Sequence, residues 1–357
     1  NFSGEITVTP YLDGDVKNYV ELEIGGAEAF NKMIAGDIFS PYTWKVRHFK
    51  PEEANETIIR FTPEGKFYGF TEKIPEDRPG KNVSADSARI LVESYAKAAG
   101  INLNNYELIE DTQETLPSDR QDHTFVYERK IEKLGDASYR LKLKLSGSKF
   151  SELTHFVKIP EAFTREYDEM RSTNNTLAAI ATAAGAILYI LGGVIFGLFI
   201  MLRKNWVIWK TPLYWGLFVA ALQVLVQINN WPLMWMNYDT ALASQGFLMQ
   251  QIVQLLILFL AEALLLTLSF MAAETLSRKA FPNHIQLWKI WSKDVANSKA
   301  VYGQTLGGFL AVSIFFAFDI SLYFFTTKVL GWWVPSSTLF DPNILATYFD
   351  WFSSIAN

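Results

Sequence analysis

Two carboxylates, Glu262 and Asp319, stand in stretches otherwise apolar enough to cross a membrane. An acid in hydrocarbon costs several kcal/mol unless it is paired, protonated or facing a wet cavity. These two are therefore the first candidates for chemistry: a functional role in a polar chamber, set against the plainer reading of a protonated acid hydrogen-bonded between helices. Counting residues along the helices, at about 1.5 Å each, puts them roughly 5 to 12 Å apart in depth, so direct pairing is not expected. Gln223, Gln227, Gln250, Gln251 and Gln254 add polarity to the same region and favour an internal wet pocket over a simple anchor.

Elsewhere the residue types that do chemistry are scattered. His48, His123 and His155 fall on or beside separate strand-like runs, where an isolated imidazole is expected to be structural. Glu52 and Glu53 with Arg60 have the composition of an acid/base pair, but they lie in a polar hairpin connection and read as a solvated loop. Cysteine is absent, which excludes disulfides, thiolate metal ligands and thiol nucleophiles.

The elements that must hold Glu262 and Asp319 are membrane helices. Leu177 to Leu202 is an uncharged run longer than the roughly 20 residues that span a hydrocarbon core. Three more spans follow over about 213–228, 247–273 and 305–326. Ten of the 11 Trp lie beyond position 200, many near the ends of apolar runs, where amphipathic rings favour the headgroup zone. Basic residues gather at Arg203, Lys204 and Lys210 and again at Arg278, Lys279, Lys289, Lys293 and Lys299, whereas 229–246 has none. The positive-inside rule makes the basic side cytoplasmic and places residues 1–176 outside it. Leu287, Trp288, Trp291 and Val295 share a helical face, so an interfacial helix is expected over about 284–298. Small residues four apart, Ala181 with Gly185, Gly193 with Gly197, and Gly303 with Gly307, are packing signals.

Before Leu177 the chain is polar and acidic. Period-two alternation marks Tyr19-Val-Glu-Leu-Glu-Ile24 and Tyr42 to Phe49 as strands, with helical character between them over Ala27 to Ile34. Pro63-Glu64-Gly65 turns one strand into the next. Ala85 to Ala99 is an amphipathic helix capped by Ser84 and stopped by Gly100, and four strand-like runs follow to Lys158. Both halves end on the same short text, Lys73-Ile-Pro-Glu76 and Lys158-Ile-Pro-Glu161. The expected architecture is an α+β extracytoplasmic region of two tandem helix-plus-antiparallel-sheet modules (1–80 and 81–160), a charged stalk (161–176), and an all-α multi-span membrane domain (177–357). This element order resembles PepSY-like or cystatin-like domains of bacterial membrane proteins.

Ala273-Glu-Thr-Leu-Ser-Arg-Lys-Ala-Phe-Pro-Asn-His284, Gln286-Leu-Trp-Lys-Ile-Trp-Ser292, Leu330-Gly-Trp-Trp-Val-Pro-Ser336 and Asp341-Pro-Asn-Ile-Leu-Ala-Thr-Tyr348 resemble large bacterial members of the CPBP family. These are intramembrane proteases related to CAAX prenyl endopeptidases and bacteriocin-processing proteins. The resemblance implies zinc as the cofactor of the intact protein, a membrane-associated protein or peptide as substrate, the bacterial inner membrane as location, and no nucleic-acid partner. The family's Glu-Glu-x-x-x-Arg, Phe-x-x-x-His and His-x-x-x-Asn/Asp motifs are not in this sequence, since Phe281 to His284 is one residue too short, so no catalytic or metal residue is carried over. The chain starts without Met and ends on helix-like text over 344–357. It is expected to be an amino-terminal part that stops short of the Glu-Glu helix. The alternative from another class is a non-enzymatic receptor or transporter-associated subunit with an outer binding domain.

Overall fold

The computed structural model describes residues 5–35, 38–283, 285, 289–290, 292–332, 345–349 and 351. Its polar part is one antiparallel sheet of eight strands: β1 (Glu5–Leu12), β2 (Tyr42–Phe49), β3 (Glu56–Phe61), β4 (Phe67–Lys73), β5 (Tyr106–Thr115), β6 (Gln121–Leu134), β7 (Ala137–Ser146) and β8 (Lys149–Lys158). Their spatial order is β1-β2-β3-β4-β8-β7-β6-β5. The two halves read from the sequence are thus two four-stranded meanders, joined where Phe70 pairs with Leu153 and Thr71 with Glu152.

The alternation in β7 shows how the sequence builds a layer. Ala137, Tyr139, Leu141, Leu143 and Leu145 point one way and are buried, while Arg140, Lys142 and Lys144 point the other. The helix α3 (Ala85–Ala98) lays Ala88, Val92 and Ala96 on Leu141, Leu143, Leu145, Leu153, Phe125 and Tyr127. Each fully buried Leu there contributes about 1.5–3 kcal/mol. A second cluster joins Tyr139, Ala137, Leu134 and Val157 to Val16, Tyr19, Val20, Phe30 and Met33 from the amino-terminal helices α1 (Gly14–Tyr19) and α2 (Gly26–Ala35) and the turn between them. Helices from both halves therefore cover one continuous face of β7, and the halves share a core.

The stretch Tyr19 to Ile24, expected as a strand, is helical. α1 is capped by Asp13 Oδ1, which accepts the Val16 N–H at 3.2 Å, and it runs on into a π-helical turn over Val20–Ile24. Val16, Tyr19 and Val20 are buried at the three- and four-residue spacing of a helix face. That burial outweighs a period-two pattern six residues long.

Four helices are long and apolar enough to cross a membrane: Glu161–Arg203, Lys210–Asn229, Ser244–Ala280 and Lys299–Val329. The first runs through the charged segment expected as a stalk, so stalk and first span are one helix, with a π-helical stretch at Leu188–Ile195. The expected interfacial helix lies partly outside the described residues, and 292–298 form turns. The helix expected over 344–357 lies mostly outside them.

The chain divides into two compact units: 1–176 with 223–257 and 340–357, and 177–222 with 258–339. In the second unit the helices meet at small residues. A Cβ on Gly197 would lie 3.2 Å from Ala272 Cβ, and one on Gly216 would lie 2.4 Å from Thr267 Oγ1. Tyr189 donates a 2.6 Å hydrogen bond to Ser269 Oγ. Gly185, Gly303 and Gly307 have nothing within 4 Å of a built Cβ.

Candidate functional site

In the first unit the face of the sheet opposite the helices is polar. Cross-strand ion pairs Arg140–Glu128 (2.9 Å), Lys142–Glu152 (3.1 Å) and Lys144–Asp122 (3.3 Å) tile it. At its β1–β3 corner the connection between the second and third long helices is docked.

That connection is built to present carbonyls. Trp231–Met234 is a single helical turn opened by Pro232, and Trp235–Asn237 continues it as a 3-10 turn. Asp239 Oδ1 then accepts the Ala241 N–H at 3.0 Å and closes the next turn. The last carbonyls of so short a helix are under-satisfied within it, Trp235 accepting only the Tyr238 N–H at 3.3 Å. Arg47 of β2 satisfies them: its guanidinium donates to the carbonyls of Trp235 (3.0 Å), Met236 (3.2 Å) and Tyr238 (2.8 Å). Its Nε and a terminal nitrogen each lie 2.6 Å from Glu56 on β3. A cation at a helix carboxyl end is favoured by the dipole, and Glu56 holds the planar fork in place.

The apolar half of the dock is Phe49, two residues along the same face and 1% exposed. Its ring lies 5.5 Å from Tyr238 and 6.4 Å from Trp235, and Phe247 lies 4.9 Å from Tyr238. The Arg47 guanidinium also sits over Phe49 at 4.7 Å. Tyr238, almost fully buried, donates its hydroxyl to the Leu242 carbonyl. At the end of the second long helix Asn229 clamps a further segment, donating to the Phe349 carbonyl (2.9 Å) and accepting the Phe349 N–H (2.7 Å).

Beside the dock lies a cavity of about 480 Å³, bounded by Ile6, Thr7 and Val8 of β1 and by Trp231, Pro232, Trp235 and Tyr348. No charged side chain lines it. A second hollow, about 380 Å³, lies near the β4–β8 junction around Arg120, Asp122, Lys144 and several glutamates. There Arg120 is buried with Asp122 (Nε to Oδ1 2.9 Å) and donates to the carbonyls of Pro75 and Arg78. Asp122 also accepts from Ser146, so this cluster satisfies itself.

Comparison of the chain with family models, curated proteins and solved structures finds no match.

Glu262 is half-buried and Asp319 exposed on their helices. Among the described residues neither makes a hydrogen bond or ion pair, and none links the two. Gln223 and Gln251 are half-buried, and Gln227, Gln250 and Gln254 are exposed. Glu52 and Glu53 sit at an exposed turn, with Glu52 in the left-handed region (φ 65°), while Arg60 lies within β3 beside Thr71 and Thr154. The histidines are separate: His123 is buried against the Val83 carbonyl at 2.9 Å, and His155 stacks on Tyr68 with centroids 4.7 Å apart. Burial, with Arg129 adding, pulls the His155 imidazole down to about 4. Burial, with Arg60 adding, pulls the Lys45 ammonium on the dock face down to about 8. Among the described residues no three His, Asp or Glu side chains converge to hold a metal ion. The family resemblance implies zinc for the intact protein alone and assigns none of these residues as its ligands.

Arg47, Phe49, Asn229, Trp235 and Tyr238 are the functional candidates that reading the sequence missed. The signal available was the aromatic density of 231–238 in a connection without Lys or Arg.

Proposed function

We propose that this chain is the substrate-gating and membrane-spanning part of a bacterial intramembrane metalloprotease of the CPBP type, with its sheet outside the cytoplasm. The observation that carries the gating role is the Arg47–Phe49 dock. It ties a folded extramembrane sheet to the connection between two helices long enough to span a membrane, so a ligand on the sheet bears directly on that connection. The orientation has a second support. The charge pattern puts residues 1–176 and the 229–246 connection on one side, and the dock requires the same. The proteolytic part of the reading rests on the resemblance, and catalytic residues are not assigned to this chain. Glu262 and Asp319 are kept as polar positions of the membrane part.

The test is to express the full reading frame in membranes and measure cleavage of a membrane-anchored reporter peptide with and without a zinc chelator. Chelator-sensitive cleavage that falls at least tenfold in Arg47→Met supports both parts of the reading. No cleavage under any condition removes the protease. The non-enzymatic receptor then becomes the better reading, since the dock would serve signalling equally.

A further inference from the structure

The sheet has two edges, and they are treated differently. β5 is interrupted by a register shift between Leu108 and Glu110 and carries the exposed acids Glu107, Glu110, Asp111 and Glu114. Charges and bulges of this kind stop a sheet from recruiting further strands. β1 has neither. Its register with β2 is unbroken from Glu5↔Phe49 to Leu12↔Tyr42, and its outward-lying Ile6 and Val8 are 64% and 51% exposed.

Pro10 fixes which backbone groups of β1 are open. A proline in a strand is accommodated where its nitrogen faces away from the ladder. Alternate residues share that direction, so the N–H and C=O groups of Ile6 and Val8 face the open side with the nitrogen of Pro10. Among the described residues no hydrogen bond reaches that edge. The uncharged cavity of about 480 Å³ borders the same three residues, Ile6 to Val8, and falls within the size range of ligand sites. Its far wall is Trp231, Pro232 and Trp235, from the connection that Arg47 and Phe49 dock, and rings of this type sit at the headgroup level of a bilayer.

From these we infer that the open edge of β1 is a strand-addition site for an extended, apolar juxtamembrane segment of a membrane-anchored polypeptide. The complement of unpaired, alternating backbone donors and acceptors is another extended backbone. The aromatic, uncharged wall selects apolar side chains on it, and the position of that wall in a connection between span-length helices selects a segment next to a membrane anchor. The inference rests on the gating reading and names what the gate senses.

The experiment uses the full chain in lipid nanodiscs. The probe is a fluorescein-labelled ten-residue peptide of alternating threonine and valine, compared with a twin N-methylated on every second amide. The expected result is saturable binding of the first, binding at least thirtyfold weaker for the twin, and at least tenfold weakening by Val8→Pro, which removes an outward N–H without touching the ladder to β2. Val8→Lys keeps the amide but puts a charge in the uncharged cavity, and it is expected to weaken binding similarly. Glu110→Lys on the opposite edge is expected to change nothing. An unchanged thermal midpoint establishes that each variant is folded. Equal binding of the two peptides, or indifference to both Val8 variants, overturns the inference. So does a photo-cross-linker at position 8 that captures the chain's own residues or a second copy in place of the peptide. Binding is read without turnover, so peptide binding without reporter cleavage sinks only the protease reading. Cleavage without peptide binding sinks only this inference.

Discussion

Replacing Arg47 by Met removes every polar contact of the dock while keeping most of the side chain's volume. Three carbonyls, of Trp235, Met236 and Tyr238, lose a charged donor, and Glu56 loses its partner. A hydrogen bond to a charged group is worth about 1.5–3 kcal/mol, and breaking a buried ion pair by deleting one member costs about 3–5 kcal/mol. Trp235 and Met236 are only half-buried, so water takes over part of what Arg47 supplied; the net cost is set at about 3 kcal/mol. At about 1.4 kcal/mol per factor of ten, this raises local opening of the connection on the order of a hundredfold. Hydrogen exchange reads this at the amides of Tyr238, Leu242 and Phe247, each bonded within the connection. Arg47→Lys, with the charge but not the planar fork, is expected to give an intermediate rise near tenfold. Phe49→Ala, emptying a site among Trp235 and Tyr238, is expected to match or exceed the methionine variant, at about 3–5 kcal/mol. Exchange in Arg47→Met within threefold of the unaltered chain would refute the claim that this residue holds the connection to the sheet.

Because the His155 imidazole is held down to about 4 from an ordinary 6.5, the unfolded chain takes up a proton that the folded one refuses between those values. Stability is therefore full above pH 6.5 and falls as pH drops toward 4, by about 2–3 kcal/mol; denaturation midpoints against pH should show that slope and lose it in His155→Phe. Arg120→Met leaves Asp122 buried with only Lys144 and Ser146, and is expected to cost about 3–5 kcal/mol in urea titrations, whereas Lys144→Ala, at the rim, costs under about 1 kcal/mol. Gly216→Ala puts a Cβ 2.4 Å from Thr267 Oγ1 and 2.9 Å from its backbone nitrogen, so the helices must separate at about 1–3 kcal/mol. Thermal midpoints in detergent should fall for Gly216→Ala and hold or rise slightly for Gly185→Ala, a helical position where nothing lies within 4 Å.

What the sequence made legible follows from the range of the interactions. β7 could be read from Ala-Ser-Tyr-Arg-Leu-Lys-Leu-Lys-Leu-Ser because each residue's side of the sheet decides its polarity, and the span-length helices because length and hydrophobicity alone select them. Tyr19 to Ile24 was misread because its partners, Tyr139 and Val157, lie more than a hundred residues away and their packing outweighs local alternation. The dock was illegible for the same reason in stronger form. Arg47 and Trp235 are 188 residues apart, and a single Arg in a strand reads as solvated until the carbonyls it meets are known. Glu262 and Asp319 stood out because their cost depends only on the medium, which is also why they could be found without learning what they touch.

The junction of β4 with β8 has a mechanical consequence. Two register pairs hold it, and Gly69 is required there because a Cβ would lie 2.4 Å from the Leu153 carbonyl oxygen. A load applied between β1 and the helix leaving β8 at Glu161 is shared by this narrow ladder, the Lys149–Glu72 ion pair and the α1–α2 cluster that bridges the two meanders. Each meander carries far more rungs than the joint between them. Under tension the sheet is expected to part along this joint, and the shared α1–α2 cluster must break with it.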